Sequence, residues 1–268
     1  MHLLQALILA VTQGATELFP ISSVGHGVII PYLLHWTYNQ QSLLPFMVML
    51  HIGTALALLL YFWRDWYDFV LSIFDARRTN GRRLLIMVII GTIPAAIIGF
   101  VFEKKFTALF PDARSASFFL IVNGLFLLVG EWLRGRGQKG LDRLKPVQAL
   151  VIGILQALAL IPGFSRSGVT MVGGLIYGYT HEAAARFAFL LATPIILGAA
   201  VLEVPKMLKY GHSQVAIASV GGLVAGIVAF LSVSFLMRYF KKREVEALRP
   251  FAYYCLIVGL AVFVRTVF

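Results

Sequence analysis

Cysteine is nearly absent from this chain. Cys255 stands alone, so no intrachain disulfide can form and no cysteine cluster can hold a metal. Charge is also scarce. Only 13% of the 268 residues are charged, about half the share of an ordinary soluble domain. That leaves too little polar surface to face water. With 59% hydrophobic residues and a mean hydropathy of +0.85, the chain reads as an integral membrane protein. Acidic residues are rarest, 12 against 23 Lys and Arg. No Lys or Arg precedes Arg64, so the N-terminus lacks the basic segment of a cleavable signal peptide.

The net charge of +11 would suit a nucleic-acid partner if it formed a patch. Instead the cations fall into short clusters between apolar runs: Arg77, Arg78, Arg82 and Arg83; Arg134, Arg136, Lys139, Arg143 and Lys145; Arg238, Lys241, Lys242 and Arg243. Clusters at the ends of apolar segments are what the positive-inside bias produces, beside anionic headgroups. The partners this implies are membrane lipids and no nucleic acid.

A spanning helix needs about 20 apolar residues. Runs of that length cover roughly 43–63, 84–102, 116–133, 184–208, 215–237 and 250–267. Two further apolar stretches, about 3–35 and 147–180, are broken by Phe19-Pro20-Ile21-Ser22-Ser23 and by Ile161-Pro162-Gly163-Phe164-Ser165-Arg166-Ser167. Proline removes a donor and clashes with the preceding turn, so each stretch predicts two half-length helices joined at membrane depth. Irregular backbone there must be buried in protein or line a wet cavity.

The two breaks are related. Gln13 and Gln156 stand six or seven residues before their prolines, a serine follows each proline within three, and the copies are offset by about 141–143 residues. The chain therefore reads as one integral membrane domain over 1–268, with internal repeats near 1–135 and 146–268. Each half is a broken re-entrant hairpin plus three spans. An odd number of spans turns the second copy upside down. Placing the three basic clusters inside puts both termini outside, with the first hairpin entering from outside and the second from inside. Such inverted pairs put their working site near the midplane. Gly222 and Gly226 form a small-residue face suited to helix packing.

Glu17 is the only formally charged residue between Met1 and Tyr61, and Arg166 is alone between Lys145 and Glu182. A charge amid apolar residues costs several kcal/mol unless paired or hydrated, so it marks function before structure. A plain ion pair tying the halves together is the bland alternative. The neighbours exceed what one pair needs: Ser22 and Ser23 lead into Gly25 and His26, and Ser165, Arg166 and Ser167 lead into Thr170. Serines cap helix starts, whose free N–H groups attract anions, and arginine adds a planar fork suited to phosphate. Gln13 and Glu17, four apart, could share a hard cation such as Mg²⁺. His26 lies three residues after Ser23, within reach of its hydroxyl on a helix. His2, His35, His51, His181 and His212 show no metal-ligand spacing, and only His51 lies inside a span.

Over nearly its whole length the chain resembles the BacA-type undecaprenyl-pyrophosphate phosphatases. The resemblance is carried by Gln13-Gly-Ala-Thr-Glu17-Leu-Phe-Pro-Ile-Ser-Ser23-Val-Gly-His26 and Pro162-Gly-Phe-Ser165-Arg166-Ser167-Gly-Val-Thr170. It implies an all-α polytopic enzyme of the bacterial inner membrane. Such an enzyme cleaves the terminal phosphate from a polyprenyl pyrophosphate lipid at the outer face and recycles the carrier for cell-wall synthesis, and in excess it confers bacitracin resistance. It also implies help from a divalent cation, Mg²⁺ or Ca²⁺. The family has Glu or Gln where this chain has Gln13, one negative charge fewer than a two-carboxylate site. On this reading Glu17, Ser23, His26 and Arg166 are catalytic, and Ser22, Ser165, Arg166, Ser167 and Thr170 hold phosphate. Glu17 with Gln13 would take the cation. Ser23, His26 and an activated water compete as nucleophile. A homodimer is compatible with this reading, and a polyprenyl-phosphate flippase using the same phosphate site is the alternative.

Overall fold

Pro20 sets the first boundary. Its ring would collide with the carbonyl of residue 16, and α1 (Leu3–Thr16) stops there. The computed structural model describes residues 2–36, 40–75, 77–102, 112–134, 137–243 and 245–268. After the break, α2 (Ser23–Leu33) returns along α1. Next come α3 (Gln40–Tyr61), α4 (Trp63–Phe74), α5 (Thr79–Val101) and α6 (Ala113–Leu133). The second half opens with α7 (Pro146–Gln156), which tightens into a 3₁₀ turn over Ala157–Leu160 ahead of Pro162. It continues with α8 (Arg166–Ile176), α9 (His181–Met207), α10 (His212–Lys242) and α11 (Arg249–Val267). Among the described residues, five helices are long and apolar enough to cross a membrane, six if the bent pair α3–α4 counts as one. The protein is a multi-pass membrane protein built of helices.

The spans match the apolar runs to within a few residues, with one addition. The apolar-run pattern gives no helix over 63–74, where Arg64, Asp65 and Asp68 interrupt the run. There α4 turns 76° from α3. It leaves Trp63, Tyr67, Val70 and Phe74 exposed along one face. Aromatic rings on such a face suit the headgroup boundary of a bilayer. Residues 103–111 and Arg136 of the second basic cluster lie outside the described residues.

Pairings recur between the halves. α1 packs on α10, and α7 packs on α5. Each contact closes on a glycine: a Cβ on Gly14 would lie 2.4 Å from the Ala225 carbonyl, and one on Gly153 would lie 2.3 Å from the Gly91 carbonyl. Gly222 and Gly226 likewise face Gly53, where a Cβ would lie 1.8 Å from the Gly222 carbonyl. Only hydrogen lets these backbones approach so closely.

The hairpins open to opposite ends. Tyr32, at the end of α2, donates to the carbonyl of Arg265 near the C-terminal end of α11 (3.2 Å). The N-terminal end of α11 sits by the basic clusters, where Leu248 N–H donates to Glu131 (2.6 Å). At that same end Arg83 donates to the Leu144 carbonyl (2.7 Å), just before α7 begins. The clusters thus gather where the second hairpin enters, away from the mouth of the first.

Candidate active site

The tips of the two hairpins meet. Ser22 caps α2 by accepting from Gly25 N–H (3.1 Å), and Ser165 caps α8 by accepting from Gly168 N–H (3.2 Å). Ser22 takes a positive φ of 65°, uncommon outside glycine. Asn123, fully buried on α6, joins the breaks: its amide donates to the Pro20 carbonyl and its oxygen accepts from Ser165 N–H, each at 3.0 Å. The Ser165 and Ser167 hydroxyls lie 3.0 Å apart, and both reach the Phe19 carbonyl, at 3.4 and 3.2 Å. Backbone groups freed by one break are satisfied by the other, as irregular chain in a membrane requires.

Glu17 stands at the centre. Its Oε1 accepts from Arg166, and its Oε2 from the Ser23 hydroxyl, from Gln13 Nε2 (2.8 Å) and from His51 Nε2 (3.2 Å). Arg166 is the first residue of α8, so its guanidinium adds to the positive end of that helix. Its other amine lies 3.4 Å from the Ala192 carbonyl. A cavity opens beside this cluster. Glu17, Ser22, Ser23, His51, Gln156, Ser165 and Arg166 supply its polar wall, and Met47, Val48, Ala95, Leu160, Ile195 and Ile196 are among its apolar lining. It pairs a polar wall with an apolar one.

Other residues singled out from the sequence sit differently. Thr170 donates to the Arg166 carbonyl (2.7 Å), so its hydroxyl is spent on its own helix. Ser165 and Ser167 stitch the breaks together. His26 does not meet Ser23: its Nδ1 lies 2.7 Å from the Ser22 carbonyl and its Nε2 2.8 Å from the Tyr254 hydroxyl. A carbonyl only accepts, so Nδ1 carries the proton and Nε2 accepts from Tyr254. Gln13 leaves its carbonyl oxygen buried without a partner among the described residues, and so does Gln156, its counterpart in the second half.

Three contributors stood outside the residues assigned to the site from the sequence: His51, Asn123 and Gln156. Two carried a signal. His51 lies within a span and is the one further histidine to watch, and Gln156 is the repeat partner of Gln13. Asn123 carried none beyond being an amide in an apolar run. No three His, Cys, Asp or Glu side chains cluster as a metal centre among the described residues.

The model of the family described as Bacitracin resistance protein BacA matches residues 6–261. Among curated proteins, the undecaprenyl-diphosphatase of Granulibacter bethesdensis is 48% identical, the alignment covering 97% of this chain and 95% of the relative. Undecaprenyl-diphosphatase 2 of Oenococcus oeni is 47% identical over 98% of both chains, and that of Chromobacterium violaceum 49% over 97% of both. With two related hairpins meeting at Glu17 and Arg166, and a family match over almost its whole length, this chain belongs to the BacA family.

Proposed function

We infer that this chain hydrolyses undecaprenyl pyrophosphate to undecaprenyl phosphate and inorganic phosphate. One observation carries the reading: a serine hydroxyl and a guanidinium meet on the same buried carboxylate, beside a cavity with an apolar wall. A nucleophile, its base and a phosphate-binding cation are the parts that phosphoryl transfer needs. No observation favours the transport reading, and the relatives are named for the phosphatase.

The Ser23–Glu17 contact supports Ser23 as nucleophile over His26. Ser23 Oγ attacks the terminal phosphorus as its proton passes to Glu17 Oε2. The bond from phosphorus to the bridging oxygen breaks, and its electron pair leaves with undecaprenyl phosphate. Arg166, with the first turn of α8, stabilises charge on the phosphoryl oxygens. The departing undecaprenyl phosphate carries off the proton from Glu17. Water then attacks the phosphoserine phosphorus with Glu17 as base, the P–Oγ bond breaks, and the proton passes from Glu17 to Ser23 Oγ as inorganic phosphate leaves. The prenyl tail leaves the site along the apolar wall.

The donor set also fits a hard divalent cation, because the buried Gln13 carbonyl oxygen is an unpartnered acceptor on the same helix face as Glu17. Mg²⁺ or Ca²⁺ would be held by Glu17 and Gln13, with substrate oxygens completing the shell. Bound there, it would supply positive charge against the phosphates. On this reading the two halves are inverted repeats and the site faces the outer side of the inner membrane, with the basic clusters on the inner side supporting that orientation. The enzyme works as a homodimer on the same reading.

The test is phosphate release from undecaprenyl pyrophosphate by purified protein in detergent, with and without Mg²⁺, beside Glu17→Ala. Release should depend on the cation and disappear in the variant. No release from well-folded wild type would refute the hydrolase.

A further inference from the structure

His51 belongs to the span α3 and to neither broken hairpin, yet it lines the cavity. Its Nδ1 lies 2.7 Å from the Met47 carbonyl and its Nε2 3.2 Å from Glu17 Oε2. An ionised carboxylate accepts, so Nε2 is the nitrogen that donates to Glu17. His26 differs, since its nitrogens face the Ser22 carbonyl and the Tyr254 hydroxyl. The site therefore holds one histidine turned away as an anchor and another turned onto the carboxylate.

The need for His51 follows from what Arg166 must do. As folded, Arg166 binds Glu17 Oε1. To grip the phosphates, its fork must turn at least partly from that oxygen. Glu17 would then be a buried carboxylate that had lost its guanidinium while it had to stay aimed at Ser23. His51 binds the other oxygen, Oε2, the one that also accepts from Ser23. It approaches from α3, so it does not move with α8.

We propose that His51 is a positioning residue that holds Glu17 Oε2 against Ser23 while Arg166 transfers from the carboxylate to the substrate phosphates. This rests on the hydrolase reading above. Arg166 is the one donor on Oε1, while Ser23, Gln13 and His51 share Oε2. Withdrawing the guanidinium leaves three neighbours in place, and His51 is the one outside the hairpin that carries Glu17. A misplacement near 1 Å at a reacting group costs on the order of 10²-fold in rate, which sets the scale of loss.

The experiment compares wild type, His51→Phe and His51→Gln as purified full chains in detergent, measuring kcat and KM for undecaprenyl pyrophosphate and the thermal midpoint. The phenylalanine variant should lose about 10- to 100-fold in kcat with KM within about twofold, because the lost contact acts on the base and not on substrate binding. Glutamine keeps an N–H donor and should recover most of kcat. The midpoints of His51→Gln and wild type should agree within a few degrees. Unchanged kcat in His51→Phe would overturn the proposal. So would a loss that appears in KM, or one that glutamine does not rescue in a folded protein. Should His51→Phe fail to fold, the glutamine variant alone decides: near-wild-type kcat supports the positioning role, and a large loss ends it. A wild type that releases no phosphate overturns the hydrolase reading, and this inference with it.

Discussion

The guanidinium of Arg166 lies on the carboxylate of Glu17, 149 residues earlier in the chain. It joins the tips of two hairpins from different halves of the protein. The Glu17 side chain is buried, while that of Arg166 is 14% exposed and lines the cavity. Removing one partner of such a pair typically costs about 3–5 kcal/mol, mainly because the other is left uncompensated. A structural clasp and a catalytic cation would therefore both be damaged by alanine.

Arg166→Lys separates the two roles. An ammonium still balances Glu17, so the thermal midpoint should stay within a few degrees of wild type. It lacks the planar fork that grips two phosphate oxygens at once. Phosphate release should fall by about 10²-fold, the scale expected when one preorganised donor is lost. Near-wild-type turnover in the lysine variant would reduce Arg166 to a clasp.

Ser23 and His26 make opposite predictions for the covalent intermediate. His26 is held at both nitrogens, by the Ser22 carbonyl and the Tyr254 hydroxyl, and has none free for attack. It braces Ser22, the residue with φ 65° that immediately precedes Ser23. His26→Asn, whose amide can still donate to a carbonyl, should keep turnover within about tenfold of wild type, while Ser23→Ala should lose roughly 10³-fold or more. Acid quenching during turnover of a substrate radiolabelled in its terminal phosphate should trap label on Ser23 as acid-stable phosphoserine. Acid-labile label on His26 would reverse the assignment.

How much of this was legible follows from what kind of signal each residue leaves. Pro20 and Pro162 break apolar runs, and Glu17 and Arg166 stand out because charge is rare there, so the hairpins and their central pair could be read from one sequence. Asn123 could not. It is neutral, and its two partners lie 103 and 42 residues away. The serines were visible as residues but not as roles, since a hydroxyl near a phosphate site serves equally well as a backbone acceptor's partner. Ser165, Ser167 and Thr170 all donate to carbonyls, and only the packed breaks decide that. Helix α4 was missed because 12 residues with three charges near its start resemble a loop more than a span. The 76° bend that separates it from α3 is a property of packing.

A second buried carboxylate shows the same economy without the cavity. Glu131, at the end of α6, accepts from His181 Nε2 (2.8 Å) and from Leu248 N–H (2.6 Å). Arg134 approaches His181 Nδ1 at 3.5 Å, and a guanidinium only donates, so the ring proton sits on Nε2 and points at Glu131. One side chain thereby fastens the end of α6 to the starts of α9 and α11. The Glu131 and His181 side chains are 4% and 1% exposed, so little water can replace a lost contact. Glu131→Ala should destabilise by about 2–4 kcal/mol, since it strands two buried donors. Glu131→Gln keeps a carbonyl oxygen for them and should cost about half as much. Melting the purified protein in detergent would read this as a graded fall in midpoint, alanine below glutamine below wild type. Glu131 does not line the cavity, so turnover per folded molecule should be unchanged in both variants. Equal midpoints for all three proteins would show that the clasp contributes nothing, and a loss of turnover without a loss of stability would tie this end of the protein to the chemistry at the other.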